Sequence, residues 1–509
     1  MSKFLLGIDI GTSACKAAVF DTDGTLIGSS SADYKVYYPE PGYAEQNPEE
    51  WWEAVCIAIK KTIKNSGISP EMIAAVGVDG QSWSAIPVAE DGRILHNTPI
   101  WMDTRSDSIC DSIIRKHGNE VFFNLCGNSF KPSYTTPKIL WFKKNKPDVY
   151  KNAHKFLQSN SYIIYRLTGK FSQDKSQGYG LHFFDMKNGT WSEKTADLLE
   201  IDLDKMPEIY GCSQIVAEVT SEAAEASGLI AGIPVVAGGL DACCGTLGAG
   251  VINPGQTQEQ GGQAGGMSIC IDSALSDPSL ILSCHVIDDR WLLQGGTVGG
   301  GGSIRWLKDI LYSDAGEKVS DSELFRKMSA LGETVPAGSE GLVFLPYMAG
   351  ERSPIWDPKA KGVFFGLGFD KKPAHLIRSV FEGTAFALRH NIETAANSGV
   401  HVSKMNAMGG AANSGIWTQI KCNVTGIPIA VPASDTATTL GAAMLAGTGC
   451  GLFKNFSSAV DSCVRITREH VPDSGIYQRY EEFYEIYKEL YVQLAPLMAK
   501  TDKLIHKGF

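Results

Sequence analysis

The chain opens with a short apolar run at residues 4–8, broken by Asp9 and a Gly-Thr-Ser turn; a second run, 17–20, follows Lys16. Runs this short, punctuated by Gly, Asp and Thr, predict strand, tight polar turn, strand. A change of period comes next. Trp51, Trp52, Val55, Ile59 and Ile63 recur at helical spacing, with Asn47 as cap and Pro48 in the first position, which predicts a helix over 48–65. The segment IAAVGVDG (73–80) reads as a buried strand ending in a loop, and 130–170 as mainly helical. VAGGLD (236–241) is a short apolar run stopping at an acid, and CCGTLGAGVI (243–252) predicts a helix whose small residues allow close packing.

From about residue 253 the opening pattern recurs in weaker form. Residues 256–272 again read strand, Gly-rich turn, strand. A helix follows at about 373–397, then a strand at 405–410 with a helix behind it, and an amphipathic helix at about 474–499. A chain of 509 residues exceeds what one core usually organises. The pattern therefore predicts two α/β domains, 1–250 and 251–509; with no low-complexity linker between them, they should pack together around a cleft.

Composition narrows the chemistry. The 54 glycines cluster at 238–266, 295–302 and 409–415, a distribution suited to backbone passing close to a ligand. Lys and Arg number 46 against 56 Asp and Glu, a net charge of −10, which disfavours nucleic acid and anionic membranes as partners. Lys143, Lys144 and Lys146 read as a solvated helix end. The twelve cysteines form no C-x-x-C pair, so neither a zinc site nor a redox motif is indicated. The N-terminal apolar stretch is too short for a signal peptide, and no run approaches the ~18 apolar residues of a membrane span. The expectation is a cytoplasmic enzyme with reduced thiols.

Five constellations carry chemistry. GIDIGTSACK (7–16) sets Asp9 at a strand end, the hydroxyls of Thr12 and Ser13 in the turn, and Lys16 on the next strand; such groups hold Mg²⁺ and phosphoryl charge, although a plain β-turn would use the same residues. It is neither a Walker A loop nor a G-x-G-x-x-G fingerprint. In GGLDACCG (238–245), Asp241 is placed to accept a hydroxyl proton, or to cap a helix. EQGGQAGG (259–266) and GGTVGGGGS (295–303) allow close backbone approach to phosphates. GGAANS (409–414) follows a strand and can wall an adenosine, with Asn413 as a hydrogen-bonding group. DGQSW (79–83) and IWMDTR (100–105) bring amide, indole and acid groups together in a way that suits a polyol, although Trp83 and Trp101 are equally at home in a core.

These motifs, in this order, resemble the FGGY family of carbohydrate kinases, and within it the xylulokinase branch. The resemblance runs from about residue 4 to 490 through GIDIGTSACKAAVFD, IWMDTRS, IPVVAGGLDACCGTLGAGVINPGQ, GLVFLPYMAGERSPIWDPKAKGVFFGL and GGAANSGIWTQIKCNVTGIPI. It implies two ribonuclease-H-like domains of the actin and hexokinase type with a cleft between them. It also implies ATP-dependent phosphorylation of a small sugar by in-line attack on the γ-phosphate of MgATP, D-xylulose being the first expectation and another ketose, a polyol or a sugar acid the alternatives. By resemblance Asp241 is the catalytic base and Asp9 the metal residue. Thr12, Ser13, Lys16, Gly262 and Gly265 would contact phosphates. Gly301 and Gly302 fall in a further nucleotide-side turn, and Gly409, Gly410 and Asn413 in the adenosine turn. Gln81, Trp83, Trp101, Asp103 and Asp241 occupy sugar positions, and a homodimer is an expected assembly.

The chain departs from the family pattern at four places. Gln81-Ser82-Trp83-Ser84 stands where Gln-Met-His-Gly is usual, and Ala242 replaces a polar residue after the base. Gln263 and Ala264 replace hydroxyl residues in the second phosphate turn, and Thr436 replaces an acid before LGAA, with Asp435 one place earlier. The first two departures put the identity of the sugar in question, and the third the handling of phosphate. A sensor that has lost the chemistry is the competing class.

Overall fold

The structure, a computed structural model, describes residues 3–313, 319–433 and 436–505. Asp435 therefore lies outside the described residues. The chain divides into two compact units, Met1–Pro254 with Cys270–Leu292 and Thr436–Arg465, and Gly255–Ile269 with Leu293–Asp435 and Ile466–Phe509. This corrects a single division at 250/251, because residues 270–292 and 436–465 return to the first unit.

In the first unit a mixed sheet runs in the order Ile215–Glu218, Pro234–Val236, Ile73–Gly80, Phe4–Ile10, Ala14–Phe20, Leu26–Asp33, with Gly239–Leu240 also paired to Ile73–Gly80. Phe4–Ile10 and Ala14–Phe20 form the expected hairpin, and Ile73–Gly80 joins Phe4–Ile10 in parallel. The helix over Pro48–Ser66 begins as its sequence predicts: the Asn47 side chain accepts the Glu49 N–H and Pro48 takes the first turn. Its Trp51, Val55 and Ile59 pack with Leu6, Ile8, Val76 and Val78 in the core.

The helix Ala437–Gly449 explains why a late segment belongs to the first unit. A Cβ on Gly7 would lie 1.9 Å from the Thr439 carbonyl oxygen, and one on Gly77 2.0 Å from that of Ala442. Only glycine lets the helix lie directly on the backbone of two adjacent strands. The small-residue helix expected after the acid runs over Asp241–Gly248 and packs closely on the same helix.

In the second unit Gln256–Gly261 pairs antiparallel with Gly265–Ile271 and parallel with Lys404–Met408, followed by Ile429–Pro432 and Ile466–His470. Helices Pro373–Asn397, Gly415–Thr425 and Ser474–Ile505 supply much of its core through Phe381, Phe386, Trp417, Tyr480, Tyr484 and Tyr487. The segment expected to be helical at 130–170 contains three helices, Thr135–Asn145, Pro147–Asn152 and Ser159–Thr168, interrupted by the strand Lys155–Leu157. All twelve cysteines are free. Among the described residues no helix is long and apolar enough to cross a membrane.

Candidate active site

Three acids line up at the carboxyl ends of neighbouring strands in the first unit. Asp9 and Asp79 are register partners on adjacent parallel strands, and Gly239 pairs with Asp79 on the other side, so Asp241 begins its helix just past the next strand end. This is the end of a parallel sheet at which α/β proteins place ligands. Asp9 and Asp79 are 8% and 0% exposed, while Asp241 keeps some access to solvent. Burial dominates their titration. It pushes Asp9 up against the pull of Lys16, and it pushes Asp79 well up, reinforced by the charges of Asp9 and Asp241. The Asp241 carboxyl is raised to about 7, first by desolvation and then by Asp9, although it accepts the Ala242 N–H at 2.6 Å. Sequence reading did not single out Asp79; its position in DGQSW was visible, but its register with Asp9 was not.

The hairpin turn after Asp9 is held at several points. Gly11 N–H donates to the Ala14 carbonyl at 3.1 Å, Gln46 Nε2 to the Thr12 carbonyl at 2.8 Å, and Trp101 Nε1 to Thr12 Oγ1 at 3.0 Å. Lys16 lies opposite Asp9 across the hairpin and is exposed, as is Ser13. Gln81 is buried, with its Nε2 donating to Gln46 Oε1 at 2.7 Å and its own Oε1 making no hydrogen bond. The structure thus gathers Asp9, Thr12, Gln81, Trp101 and Asp241 around neighbouring strand ends and turns of one unit.

Trp83 adopts a left-handed backbone conformation, φ 61°, and its ring lies 4.3 Å from that of Tyr134 and 5.4 Å from that of Tyr179. The fully buried Lys138 secures it: Nζ donates to the carbonyls of Trp83, Ile100 and Ser133 at 2.8, 2.7 and 2.6 Å. Three carbonyls match the three N–H groups of an ammonium, so one lysine ties the Trp83 turn to the Trp101 loop. Trp101 itself is 37% exposed, as a wall residue would be.

Asp103 corrects the expected set. It is fully buried and accepts from Ala44 N–H at 2.7 Å, from Arg105 N–H at 3.0 Å, and in a fork from the Arg105 guanidinium at 2.7–2.9 Å. Arg105 in turn pairs with Glu45 at 2.7 Å and covers the Tyr43 ring at 3.9 Å. With its oxygens taken, Asp103 anchors the Trp101 loop and has no lone pair aimed at a ligand.

In the second unit the candidate nucleotide groove is bordered on one side by glycine-rich turns. Gly261, Gly262, Gly301, Gly410, Ala411 and Asn413 line a groove of about 660 Å³, joined by Arg305, Phe325 and Arg326 from two helices. Gly409 has φ 79°, and a Cβ there would crowd the Gly261 carbonyl at 3.0 Å. Gly265 lines a small adjoining pocket with Glu259 and Lys421, a buried ion pair 2.5 Å long.

Gly301 and Gly302 lie in the turn expected on this side, and their amides are engaged within it. The Gly301 N–H donates to the Gly262 carbonyl and the Gly302 N–H to that of Gln263, both at 2.8 Å, so these amides close the turn on the helix Gly301–Leu311 and do not point at a phosphate. Gly301 contributes wall, since a Cβ would stand 2.3 Å from the Gly262 oxygen, and Gly302 is covered by the Gln263 side chain. Arg305, Phe325, Arg326 and the Glu259–Lys421 pair escaped sequence reading because nothing local distinguishes them from ordinary helix and strand residues.

Two α/β units, one with acids at parallel strand ends and one with a glycine-walled groove, define the class: a two-domain kinase of small molecules. The chain belongs to the FGGY family of carbohydrate kinases, whose N-terminal domain matches residues 4–248 and whose C-terminal domain matches 273–450. It is 30% identical over 501 residues to a xylulose kinase of Staphylococcus epidermidis, covering 98% of both chains. A xylulose kinase structure from Rhodospirillum rubrum aligns at TM-score 0.89 with 27% identity, over 98% of this chain and 100% of that one. A gluconate kinase from Lactobacillus acidophilus aligns at 0.90 with 26% identity and the same coverage. The chain is an ATP-using carbohydrate kinase, its partners a sugar and the nucleotide.

Proposed function

We propose that this kinase phosphorylates a ketopentose, with D-xylulose giving xylulose 5-phosphate as the leading case, and that Asp241 is the base. The observation that carries this reading is the Asp241 carboxyl, placed at the mouth of a strand and raised to about 7 by burial and by Asp9. A base works best when its pKa lies near the working pH. As the sugar oxygen forms its bond to the γ-phosphorus, Asp241 takes the hydroxyl proton and the bond to the ADP oxygen breaks. Thr12, Ser13 and Lys16 contact the phosphates. Gly262, Gly265, Gly409, Gly410 and Asn413 form the nucleotide's surroundings, and Gln81, Trp83 and Trp101 hold the sugar. The buried Gln81 Oε1 and Trp83 Nε1, neither hydrogen-bonded within the protein, suit sugar hydroxyls.

Asp9 fits a divalent cation. No group of three or more His, Cys, Asp or Glu able to hold a metal occurs among the described residues, but Mg²⁺ at a phosphate needs only one or two carboxylates, and Asp9 is a buried acid beside a turn of hydroxyls. Bound there, Mg²⁺ would offset charge on the transferring phosphoryl group.

A second reading, a different ketose, a polyol or a sugar acid, is favoured by the indole at Trp83 and the methyl at Ala242. Ala242 removes a polar contact of the usual xylulose pattern, and Trp83 replaces an imidazole with a bulkier ring whose only polar group is a single N–H donor. An ATP-consumption assay across ketoses, polyols and aldonates tests the proposal. The fastest turnover on D-xylulose supports it, and turnover on gluconate or a polyol alone replaces it with the second reading.

A further inference from the structure

Asp79 has no part in the mechanism above, and its surroundings are unlike those of Asp103 and Asp174, two other buried acids of the same unit. Asp174, also fully buried, accepts from Ser176 Oγ, Gln177 N–H and Asn160 Nδ2; Asp103 accepts from Ala44 and Arg105. Neither oxygen of Asp79 receives a hydrogen bond from an N–H, hydroxyl or ammonium of the described residues. Its close polar neighbour is the Asp9 carboxyl, brought alongside by the strand register. A buried carboxylate without a donor is costly, and setting it beside a second carboxylate adds repulsion. Two acids facing each other with spare lone pairs are stabilised by a cation between them or by a shared proton. Lys16, on the next strand, attracts both acids, yet its side chain donates to neither.

We propose that Asp79 is the second carboxylate of the divalent-cation site at Asp9, so that this chain binds the cation before any nucleotide arrives. The inference rests on the placing of the cation at Asp9 in the function proposed above. Two adjacent carboxylates supply hard oxygen donors, the ligand class of Mg²⁺, Mn²⁺ and Ca²⁺. Where only Asp9 was available, the cation would come in with the nucleotide's phosphates; with Asp79 beside it, the protein holds the ion on its own.

The test is a Mn²⁺ titration of the full chain without nucleotide, free Mn²⁺ being read by electron paramagnetic resonance. The wild type should bind one ion per chain. Asp79→Asn and Asp79→Ser should each weaken that binding by at least roughly tenfold, the loss that even outer partners of a metal commonly produce. Circular dichroism establishes that both variants fold. Added Mn²⁺ should raise the melting temperature of the wild type and leave that of Asp79→Asn nearly unmoved. The proposal is overturned if the wild type holds no ion without nucleotide, or if both variants bind Mn²⁺ as tightly as it does. Failure of the base assignment is separate, since it would show as retained turnover in Asp241→Asn whatever the Mn²⁺ titration gives.

Discussion

In the first unit the groups proposed to meet a ligand are side chains set at strand ends: Asp9, Gln81 and Asp241, with Trp83 and Trp101 on loops fastened by Lys138 and Arg105. In the second the proposed nucleotide groove is bordered by glycine turns, closed by amide-to-carbonyl bonds between Gly301 and Gly262 and between Gly302 and Gln263. The two constructions fail in different ways. A side-chain site loses function when one atom is exchanged for another of the same size, with the fold intact. A backbone site is indifferent to such exchanges and fails when volume is added, because what it offers is the absence of a Cβ.

The predictions divide along that line. The largest effect is expected at the proposed base. Asp241→Asn should lower turnover by about 10²–10⁴-fold, the usual contribution of a general base, and leave nucleotide affinity within about threefold. A coupled assay beside a nucleotide titration checks this, and near-normal turnover would remove Asp241 from the mechanism. Next is the buried pair at the groove's neighbouring cavity. Lys421→Met leaves Glu259 charged and unpaired, and should cost about 3–5 kcal/mol in denaturant unfolding, much of it recovered by adding Glu259→Met. Gly301→Ala should act through volume alone. A Cβ 2.3 Å from the Gly262 oxygen forces the turn apart at about 1–3 kcal/mol, read as a KM for ATP about tenfold higher with the KM for sugar unchanged. An equal loss for both substrates would mean that the two constructions are not independent.

The smallest effect is titration. With Asp241 raised to about 7, kcat/KM for the sugar should fall toward tenfold per unit as pH drops below that value, since the base must be ionised. Stability should run the other way. The folded state holds the Asp241 proton more tightly than the unfolded chain does, so this group's stabilisation is complete below the ordinary carboxylate range and is lost as pH rises through about 7. Asp241→Asn should flatten that part of the stability profile, which thermal melts across pH 4–8 would show.

Much of the molecule was legible before any coordinates. The strand–turn–strand opening, the Asn47–Pro48 helix start and the small-residue helix after Asp241 follow from local patterning, because each depends on residues a few positions apart. Motif order also named the family. Less legible was how far each candidate was already committed. Asp103 carries the right chemistry in the right motif, yet Arg105 and the Ala44 amide exhaust its oxygens. Gly301 and Gly302 have the right freedom, yet their amides are spent on the turn.

The sequence by itself determined which residue types would stand at strand ends and turns, since hydrophobic period and turn chemistry are local properties. Only the tertiary structure decided which of them keep a lone pair or an open face for a ligand. That outcome depends on register and on groups far away in the chain: Asp79 beside Asp9 seventy residues earlier, Lys138 reaching Trp83, and the helix Ala437–Gly449 pressed onto Gly7 and Gly77. A hydrogen bond is satisfied or left open in three dimensions, and spacing along the chain carries no record of it.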